Sequence, residues 1–298
     1  MRFDWLFTGA GGQFGSVLLR ELLRRGESVL GLRSPRGPKP AEGLTVAIDI
    51  TDRAEMARAV RTARPHTIVH AAAVTNVTTA FEQPGLAQRT NVAATEHLVE
   101  LAAELNARLV YLSTDMVFDG TAAPYSESDP PAPLSVYGRT KAEAEWCVGA
   151  YDHGLIVRPP LMYGQPCAPR ETTFLKQLDS IRQGRPLRLF EDEYRSPIDL
   201  GDAARACLAA ARSDLSGILH IAGPQRLSRL EMGRIMAKAL GRSDACIIPV
   251  RRGDVAFPEP RPADLCLACD RYTGTFGKAP GRPMEVVLRE IAAALGRA

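Results

Sequence analysis

A tyrosine and a lysine separated by one helical turn, Tyr137 and Lys141, are the residues of this sequence best suited to chemistry. A tyrosine hydroxyl is a poor acid near pH 7, but a neighbouring ammonium group stabilises the phenolate and is expected to lower the pKa of the phenol. Ser113 and Thr114 end an apolar stretch earlier in the chain, where a hydroxyl would hydrogen-bond the oxygen that Tyr137 protonates. These residues predict the reduction of a carbonyl group, provided that the chain also binds a dinucleotide.

A glycine-rich turn near the start of the chain predicts that dinucleotide site. Gly9, Gly12 and Gly15 lie between an apolar strand at Phe3–Phe7 and a helix-forming run at Ser16–Arg25. Glycines at this spacing allow a tight turn, a close backbone approach to a pyrophosphate and close packing of helix on strand, with the helix amino end facing the phosphates. The alternative is an incidental glycine-rich turn. The cofactor contacts predicted here are Gly9, Gly11, Gly12, Gln13, Phe14 and Gly15.

The end of the second strand distinguishes NADPH from NADH. A carboxylate at this point accepts hydrogen bonds from a free ribose 2′-hydroxyl and repels a 2′-phosphate. The chain instead has Arg33, which can clamp a phosphate, followed by Ser34, which can hydrogen-bond it. The alternative is that the arginine is a solvated loop charge. The pattern favours NADPH.

Two later strand ends complete the predicted cofactor groove. Asp49 closes the third strand and would accept from the adenine amino group, while Thr51 or Asp52 would cap the next helix. Three alanines follow His70 at the end of the fourth strand and would let a ribose lie against the backbone. We interpret His70 itself as a packed strand-end residue. The contacts predicted here are Asp49, Ile50, Ala71, Ala72 and Ala73.

Composition excludes several classes of function. The net charge is +3 with acidic and basic residues interspersed, so neither nucleic acid nor a membrane surface is an expected partner. No apolar run is long enough to span a bilayer, and Asp4 with the early glycine turn argues against a signal peptide, so we expect a cytoplasmic protein. The six cysteines are scattered. Cys266 and Cys269 lack further ligands nearby in sequence, and no metal site is predicted.

Strands and helices alternate along the first half of the chain, which predicts an α/β fold with a Rossmann-type doubly wound parallel sheet. We expect residues 1–158 to form an NADP-binding domain and residues 159–298 a smaller C-terminal substrate lobe, with some exchange of chain between them. A helical stretch is predicted near Glu82–Asn106, and a short strand of the second half near Ile218–Ile221.

Several stretches resemble the extended short-chain dehydrogenase/reductase superfamily, and more narrowly the dTDP-4-dehydrorhamnose reductase family. The central block, from Ser113 to Lys141, is far more specific than the glycine turn. The resemblance covers nearly the whole chain. It is carried by Asn91–Thr95, Ser113–Gly120, Pro124–Asp129, Pro133–Lys141, Ser196–Ile198, Gly217–His220 and Arg261–Pro262.

This resemblance implies roles for individual residues. Tyr137 would be the proton donor, Lys141 would also hold the nicotinamide ribose, and Thr114 would polarise the ketone of a nucleotide-diphosphate 4-keto-6-deoxy sugar. Asn91 would shape the site, or would only satisfy backbone groups inside a helix. Arg261 would contact the diphosphate, or would be a surface arginine before a turn proline. The resemblance implies cofactor contacts at Asn91, Tyr137, Lys141 and Arg158, and substrate contacts at Thr75, Asp115, Val117, Phe118, Leu161 and Arg261.

Departures from the family pattern leave the sugar open. Met116 replaces a usual tyrosine, and Leu161 or Met162 stands where a tryptophan is usual. The stretch Arg158–Gly164 also resembles the regulatory beta subunit of methionine adenosyltransferase, so a non-catalytic dinucleotide-binding subunit is the main alternative. A related epimerase or dehydratase is a third, although a dehydratase needs a second acid beside the threonine. A homodimer is the expected assembly if the protein associates.

Overall fold

The computed structural model describes residues 3–295 and arranges them around one large parallel sheet. Its strand order is β11-β6-β5-β4-β1-β2-β3, and every neighbouring pair is parallel. This arrangement confirms the Rossmann-type α/β prediction. In chain order the strands are β1 (Trp5–Thr8), β2 (Val29–Arg33), β3 (Thr45–Ala47), β4 (Thr67–His70), β5 (Arg108–Leu112), β6 (Gly154–Arg158), β7 (Met162–Tyr163), β8 (Leu187–Phe190), β9 (Tyr194–Arg195), β10 (Ile198–Asp199), β11 (Gly217–His220), β12 (Leu227–Ser228) and β13 (Ile247–Val250).

Helices cover both faces of this sheet. One face packs on α1 and α8, and the other on α2, α5 and α6. Within the described part of the chain, none of the helices has the length and apolar composition of a membrane span. The helices are α1 (Gln13–Arg24), α2 (Arg53–Ala63), α3 (Val77–Glu82), α4 (Pro84–Ala87), α5 (Ala94–Leu105), α6 (Val136–Gly149), α7 (Thr173–Arg182), α8 (Leu200–Ala211), α9 (Arg229–Ala239), α10 (Asp270–Phe276) and α11 (Met284–Leu295).

The central strands are apolar on both sides because helices bury both faces. Neighbouring residues of β1 illustrate this: Leu6 packs in the core beneath α2 and α5, whereas Phe7 packs in the core beneath α1 and α8. Both side chains are fully buried. Burial of one such side chain stabilises the fold by about 1.5–3 kcal/mol, so the two cores fix the strand ends that position the site.

From β1 the chain adds β2 and β3 on one side and then β4, β5 and β6 on the other, so the strand order reverses between β1 and β4. In doubly wound sheets, ligands bind beyond the carboxyl ends of the strands at such a switch point. Thr8 and His70 are the last residues of these two strands and are paired in register. The glycine turn after β1 and the alanines after β4 therefore face the same crevice.

The helical stretch predicted near Glu82–Asn106 is confirmed, because the chain is helical without a gap from Pro84 to Leu105. Helix α3 ends at Glu82, and Pro84 begins α4 at a position where its missing N–H needs no partner. A π-helical turn over Gln88–Ala93 then leads into α5. Such turns change which side chains face inward, and this one buries Asn91.

The chain after Arg158 contributes to two parts of the molecule. The predicted strand near Ile218–Ile221 is present as β11, and it pairs with β6 at the edge of the main sheet. Helices α8 and α10 also pack on this sheet. The smaller lobe is formed by β8, paired with β13, and by α7, α9 and α11, which enclose a separate apolar core. That core contains Phe174, Leu189, Met236 and Leu288.

Candidate active site

Helix α6 holds Tyr137 and Lys141, and it begins where two acceptors satisfy its first N–H groups. Ser135 Oγ accepts from Gly138 N at 3.1 Å, and the Glu259 carboxylate accepts from Val136 N at 2.7 Å. The helix turns both predicted catalytic side chains inward, leaving Tyr137 8% and Lys141 2% exposed. Their four-residue spacing places them one above the other on the same helical face.

The ammonium group of Lys141 is held against strand β5. Its Nζ donates to the carbonyl oxygen of Leu112 at 2.6 Å and lies 4.0 Å from the ring centroid of Tyr111. Burial lowers the pKa of Lys141 to about 7, while the Glu145 carboxylate acts to raise it. Burial and the Glu145 carboxylate therefore act on the charge of this lysine in opposite directions.

The pKa of Tyr137 is shifted opposite to the direction predicted from the sequence. Burial raises it to about 12, with a smaller lowering by hydrogen bonding with the Thr114 side chain and a further rise from the Asp115 carboxylate. The expected lowering was wrong because removal of the phenol from water outweighs nearby stabilisation of its anion. Tyr137 is thus a neutral phenol near pH 7, the form that can give a proton to a carbonyl oxygen.

A buried ion pair behind Lys141 was missed at the sequence level. The Glu145 carboxylate accepts from Arg158 Nε at 2.9 Å and from a terminal nitrogen of the same guanidinium at 2.6 Å, and the Ser113 hydroxyl also donates to it. Arg158 is fully buried, with its guanidinium carbon 5.0 Å from the ring centroid of Phe118. Contrary to our expectation, its side chain therefore packs inside the core and offers no surface to a cofactor. The signal was present, since Glu145 lies one further helical turn from Lys141.

The glycine turn has the close backbone packing that a pyrophosphate site requires. Gly9 has φ +82°, and a Cβ there would come within 3.0 Å of the backbone of Ala71. A Cβ on Gly15 would lie only 2.1 Å from the Gly9 carbonyl oxygen. The hydrogen-bond ladder of α1 begins with Ser16 N, which donates to Gly12 O at 3.0 Å. The N–H groups of Gln13, Phe14 and Gly15 precede it, have no acceptor inside the helix and face the turn. These residues fit a bound dinucleotide.

Arg33 ends β2 beside this turn. Its guanidinium donates to the carbonyl oxygens of Ser34 at 3.3 Å and Gly37 at 3.4 Å, so the following loop orients it. That loop crosses the glycine turn, where a Cβ on Gly11 would lie 2.3 Å from Pro38 O. Ser34 is exposed. The Arg33 guanidinium and the Ser34 hydroxyl therefore lie at the edge of the predicted cofactor groove.

The third strand end is organised by local turns. Asp49 is exposed, and its carboxylate accepts two hydrogen bonds from Thr51, one from the backbone N at 2.9 Å and one from the hydroxyl at 2.7 Å. Both bonds lower the pKa of Asp49. Asp52 caps α2 by accepting from Glu55 N at 2.9 Å, as one of the two sequence alternatives predicted. Ile50 is buried. Ala71, Ala72 and Ala73 are all half-buried at the end of β4.

Asn91 acts as a clamp between two parts of the site. Its Oδ1 accepts from Val74 N at 2.8 Å, and its Nδ2 donates to Val74 O at 3.2 Å and to Thr140 Oγ1 at 3.0 Å. It thereby satisfies backbone groups and also ties the loop after β4 to α6, combining both sequence alternatives.

His70 is a packed strand-end residue, as interpreted from the sequence. It is fully buried and lies between the hydroxyls of Thr8 at 2.7 Å and Thr95 at 2.9 Å, and burial lowers its pKa to about 3. Within residues 3–295, no group of three or more His, Cys, Asp or Glu side chains is placed to hold a metal ion.

Asp115 lies directly beside the Thr114 hydroxyl. Its Oδ1 accepts from Thr114 Oγ1 at 3.1 Å, and its Oδ2 is 3.5 Å from Arg195 Nε. Burial raises the pKa of Asp115 to about 6, although Arg195 acts to lower it. A buried carboxyl group with a raised pKa therefore lies next to the hydroxyl that is predicted to polarise the substrate carbonyl.

Other predicted substrate contacts are placed differently. Val117 and Phe118 are both buried, and the Phe118 ring stacks on Tyr125 with centroids 4.1 Å apart. Their side chains belong to an apolar core beneath the site, which corrects the expectation that they face the sugar. Leu161 is half-buried against the core of the smaller lobe, and Thr75 is exposed after β4.

Arg261 belongs to an ion cluster that sequence reasoning did not find. Glu193 is 2% exposed and pairs with Arg261 at 2.6 Å, Arg195 at 3.4 Å and Arg229 at 3.8 Å. Burial acts to raise the pKa of Glu193, but the three guanidinium groups together lower it. Arg261 is therefore a partly exposed arginine held by an ion pair, and its contact with the substrate diphosphate stays a prediction. No local pattern indicated this cluster, since Arg229 and Arg261 lie far along the chain from Glu193 and Arg195.

Known proteins similar to this chain carry two different names. The chain is 30% identical over 292 residues to methionine adenosyltransferase 2 subunit beta of Xenopus laevis, covering 96% of this chain and 86% of the relative. It is also 30% identical over 274 residues to dTDP-4-dehydrorhamnose reductase of Mycobacterium tuberculosis, covering 90% and 85%. The crystal structure of a hypothetical dTDP-4-dehydrorhamnose reductase from Sulfolobus tokodaii superposes with a TM-score of 0.82 at 27% identity, covering 97% and 99%.

A family model for the RmlD substrate binding domain matches residues 3–295, the same range that the structure describes. This match confirms the resemblance predicted from the motifs around Tyr137. With the Rossmann-type sheet and the glycine turn, it leads to one conclusion: this chain belongs to the RmlD substrate binding domain family of extended short-chain dehydrogenases/reductases.

Proposed function

We propose that this protein is an NADPH-dependent reductase that converts a nucleotide-diphosphate 4-keto-6-deoxy sugar to its 4-hydroxy form. The observation that carries the proposal is the close packing of α6 on the turn after β5: a Cβ on Gly138 would lie 2.2 Å from Met116 O, so Tyr137 and Thr114 lie on elements in direct contact at the carboxyl edge of the sheet. Two hydroxyl groups that converge there are suited to hold one carbonyl oxygen.

Each of these side chains has a defined part in the proposed reaction. Tyr137 is a neutral phenol and gives its proton to the carbonyl oxygen as that oxygen gains charge. Thr114, whose hydroxyl donates to Asp115, turns to donate to the same oxygen. Lys141, fixed by Leu112 O, supplies positive charge that stabilises the phenolate left on Tyr137.

The same residues support a dinucleotide cofactor. The N–H groups at the start of α1 would hold the pyrophosphate, and the small alanines after β4 would allow the nicotinamide ribose to approach. Arg33 and Ser34 favour a 2′-phosphate, and hence NADPH. When bound, the nicotinamide supplies the hydride that the carbonyl carbon receives.

The substrate class rests on family membership and on the 30% identity to the reductase of Mycobacterium tuberculosis. Asp115 and Arg195 lie beside Thr114 and offer polar contacts to a sugar hydroxyl. Because Met116 is half-buried where family members usually carry a tyrosine, the sugar preferred by this protein is expected to differ in detail.

The direct test is to incubate the purified protein with NADPH and dTDP-4-keto-6-deoxyhexoses and to follow the loss of nicotinamide absorbance. Turnover with one of these sugars, and a product carrying a new hydroxyl by mass spectrometry, would support the proposal. Failure with a full panel of thymidine and uridine 4-keto sugars would overturn it.

A non-catalytic regulatory subunit is the second candidate, and the Xenopus laevis relative favours it at the same 30% identity. On this hypothesis the protein binds a dinucleotide but acts on a larger catalytic partner. Co-purification with a methionine adenosyltransferase, a change in that enzyme's activity and no turnover of keto sugars would together support it. Catalytic reduction of a keto sugar by the isolated chain would contradict it.

A further inference from the structure

Helix α6 and the end of β5 are joined by three contacts at successive turns of the helix. Gly138, next to Tyr137, packs on the carbonyl oxygen of Met116, Leu112 O accepts from Lys141, and Ser113 Oγ donates to Glu145. The first two contacts hold residues of the proposed reaction, but the third does not. Glu145 is 5% exposed and lies one turn beyond Lys141 on the same face.

The charges around Glu145 are unusually enclosed. Lys141, Glu145 and Arg158 are each at most 5% exposed; Glu145 pairs directly with Arg158, and Lys141 lies one helical turn away on the same face, so the three charges interact away from water. An unpaired cation in such surroundings tends to lose its proton, because burial penalises the charged form. Arg158 keeps its charge in proteins, whereas a lysine does not always do so. Lys141 is therefore the member of the trio whose charge depends on the carboxylate.

We propose that Glu145 is a positioning residue for Lys141: its carboxylate, fixed by the Arg158 fork and by Ser113, keeps the lysine cationic and seated on Leu112. The catalytic consequence rests on the proposed reductase function, but the effect on Lys141 does not. Burial and Glu145 act on the pKa of Lys141 in opposite directions, in agreement with this arrangement.

The Arg158 fork explains why the carboxylate stays in place. Two parallel N–H···O bonds of 2.9 and 2.6 Å fix its plane, and a bidentate pair of this kind is stronger and more directional than a lysine contact. Arg158 lies on β6 and Ser113 follows β5, so neighbouring strand ends hold one side chain of α6. These contacts fix the position of α6 relative to the sheet, and thereby the position of the Glu145 carboxylate relative to Lys141.

The test is to titrate Lys141 itself by NMR in protein labelled with ¹³C at the lysine ε-carbon. The chain has five lysines, and the Lys141 resonance is assigned by its loss in Lys141→Arg. In Glu145→Gln, which keeps the shape but removes the charge, we expect the pKa of Lys141 to fall by about 1 unit or more. An unchanged pKa in this variant would overturn the proposal.

Asp202→Asn provides a matched control. Asp202 is a buried carboxylate that also pairs with arginines, Arg205 and Arg282, but it lies on α8. This variant is expected to lose stability without moving the Lys141 titration. An equal shift in both variants would mean that loosening of the fold is responsible, and would overturn the proposal.

If Glu145→Gln does not fold, Glu145→Asp decides the question. It keeps the charge but draws the carboxylate back by one methylene group, so the pKa of Lys141 is expected to fall; an unchanged pKa would count against the proposal. The titration requires no substrate. A wild-type protein that reduces no keto sugar would therefore refute the proposed function while leaving the Lys141 result interpretable.

In an active enzyme the same change has a kinetic signature. If Lys141 acts as a cation, the decline of kcat at high pH is expected to begin about 1 unit lower in Glu145→Gln, which corresponds to about a tenfold loss of rate on the alkaline side. Glu145→Asp, which keeps the charge, is expected to restore part of this range. An alkaline limb at the wild-type position would contradict the proposal.

Discussion

The Glu259 carboxylate accepts the backbone N–H of Val136 at 2.7 Å, one residue before Tyr137. The two residues come from distant parts of the chain, so a loop of the second half closes the amino end of the helix that carries the proposed proton donor. A negative charge at this end also interacts favourably with the helix dipole. The loop that contains Glu259 therefore helps to hold the first turn of α6, and with it Tyr137, in place.

This contact predicts a combined effect on stability and activity. Glu259→Ala is expected to lower the free energy of unfolding by about 0.5–2 kcal/mol, as for other lost helix caps, and also to lower kcat. The control is Glu231→Ala, which removes the capping box of α9 in the smaller lobe. We expect the control to lose similar stability in urea denaturation but to keep kcat. Equal kcat values in the two variants would show that Glu259 is only a cap.

Replacement of the proton donor predicts a separation of binding from chemistry. Tyr137→Phe keeps the buried ring but removes the hydroxyl, so turnover of the keto sugar is expected to fall by about 100-fold or more. NADPH affinity, measured by fluorescence titration, is expected to remain near the wild-type value. Persistent turnover in this variant would remove Tyr137 from the mechanism.

The proposed preference for NADPH predicts that substitution of Arg33 weakens NADPH binding more than NADH binding. Arg33→Ala is expected to weaken NADPH binding by about tenfold or more, since a hydrogen bond to a charged group contributes about 1.5–3 kcal/mol, while NADH binding changes little. Arg36→Ala is the control, because Arg36 is an exposed arginine of the same loop. Calorimetry with both cofactors measures the difference. An equal loss in the two arginine variants would indicate a general effect of loop charge.

The buried histidine predicts a loss of stability in acid. The folded-state pKa of His70 is about 3, well below its ordinary value of 6.5, so the unfolded chain binds more protons between these limits. The free energy of unfolding is therefore expected to fall as pH decreases below 6.5, by up to about 1.4 kcal/mol per unit from this residue.

Urea denaturation at pH 7 and pH 4.5 checks this prediction. His70→Gln is expected to be less stable at pH 7 but to lose less stability on acidification, because glutamine has no proton to take up. Substitution of His153, which is exposed, serves as the control and should retain the wild-type pH dependence. A wild-type slope in His70→Gln would assign the acid sensitivity to other groups.

Local patterns in the sequence were sufficient for the architecture. The alternation of strands and helices identified the doubly wound sheet, and the glycine spacing located the turn after β1, because both depend on neighbouring residues in the chain. The spacing of Tyr137 and Lys141 likewise followed from helical geometry alone. Composition also located the helical stretch that ends at Leu105, but it indicated neither the separate helix α3 nor the π-helical turn at Gln88–Ala93.

Tertiary structure alone decided the electrostatics of the site. Burial, which no local pattern reports, turned the pKa of Tyr137 upward and drew that of Lys141 down to about 7. Long-range pairing placed Arg158 in the core against Glu145, and joined Arg261 to Glu193. Charge energies depend on distance and on solvent exclusion, and both are set only when separate segments of the chain come together.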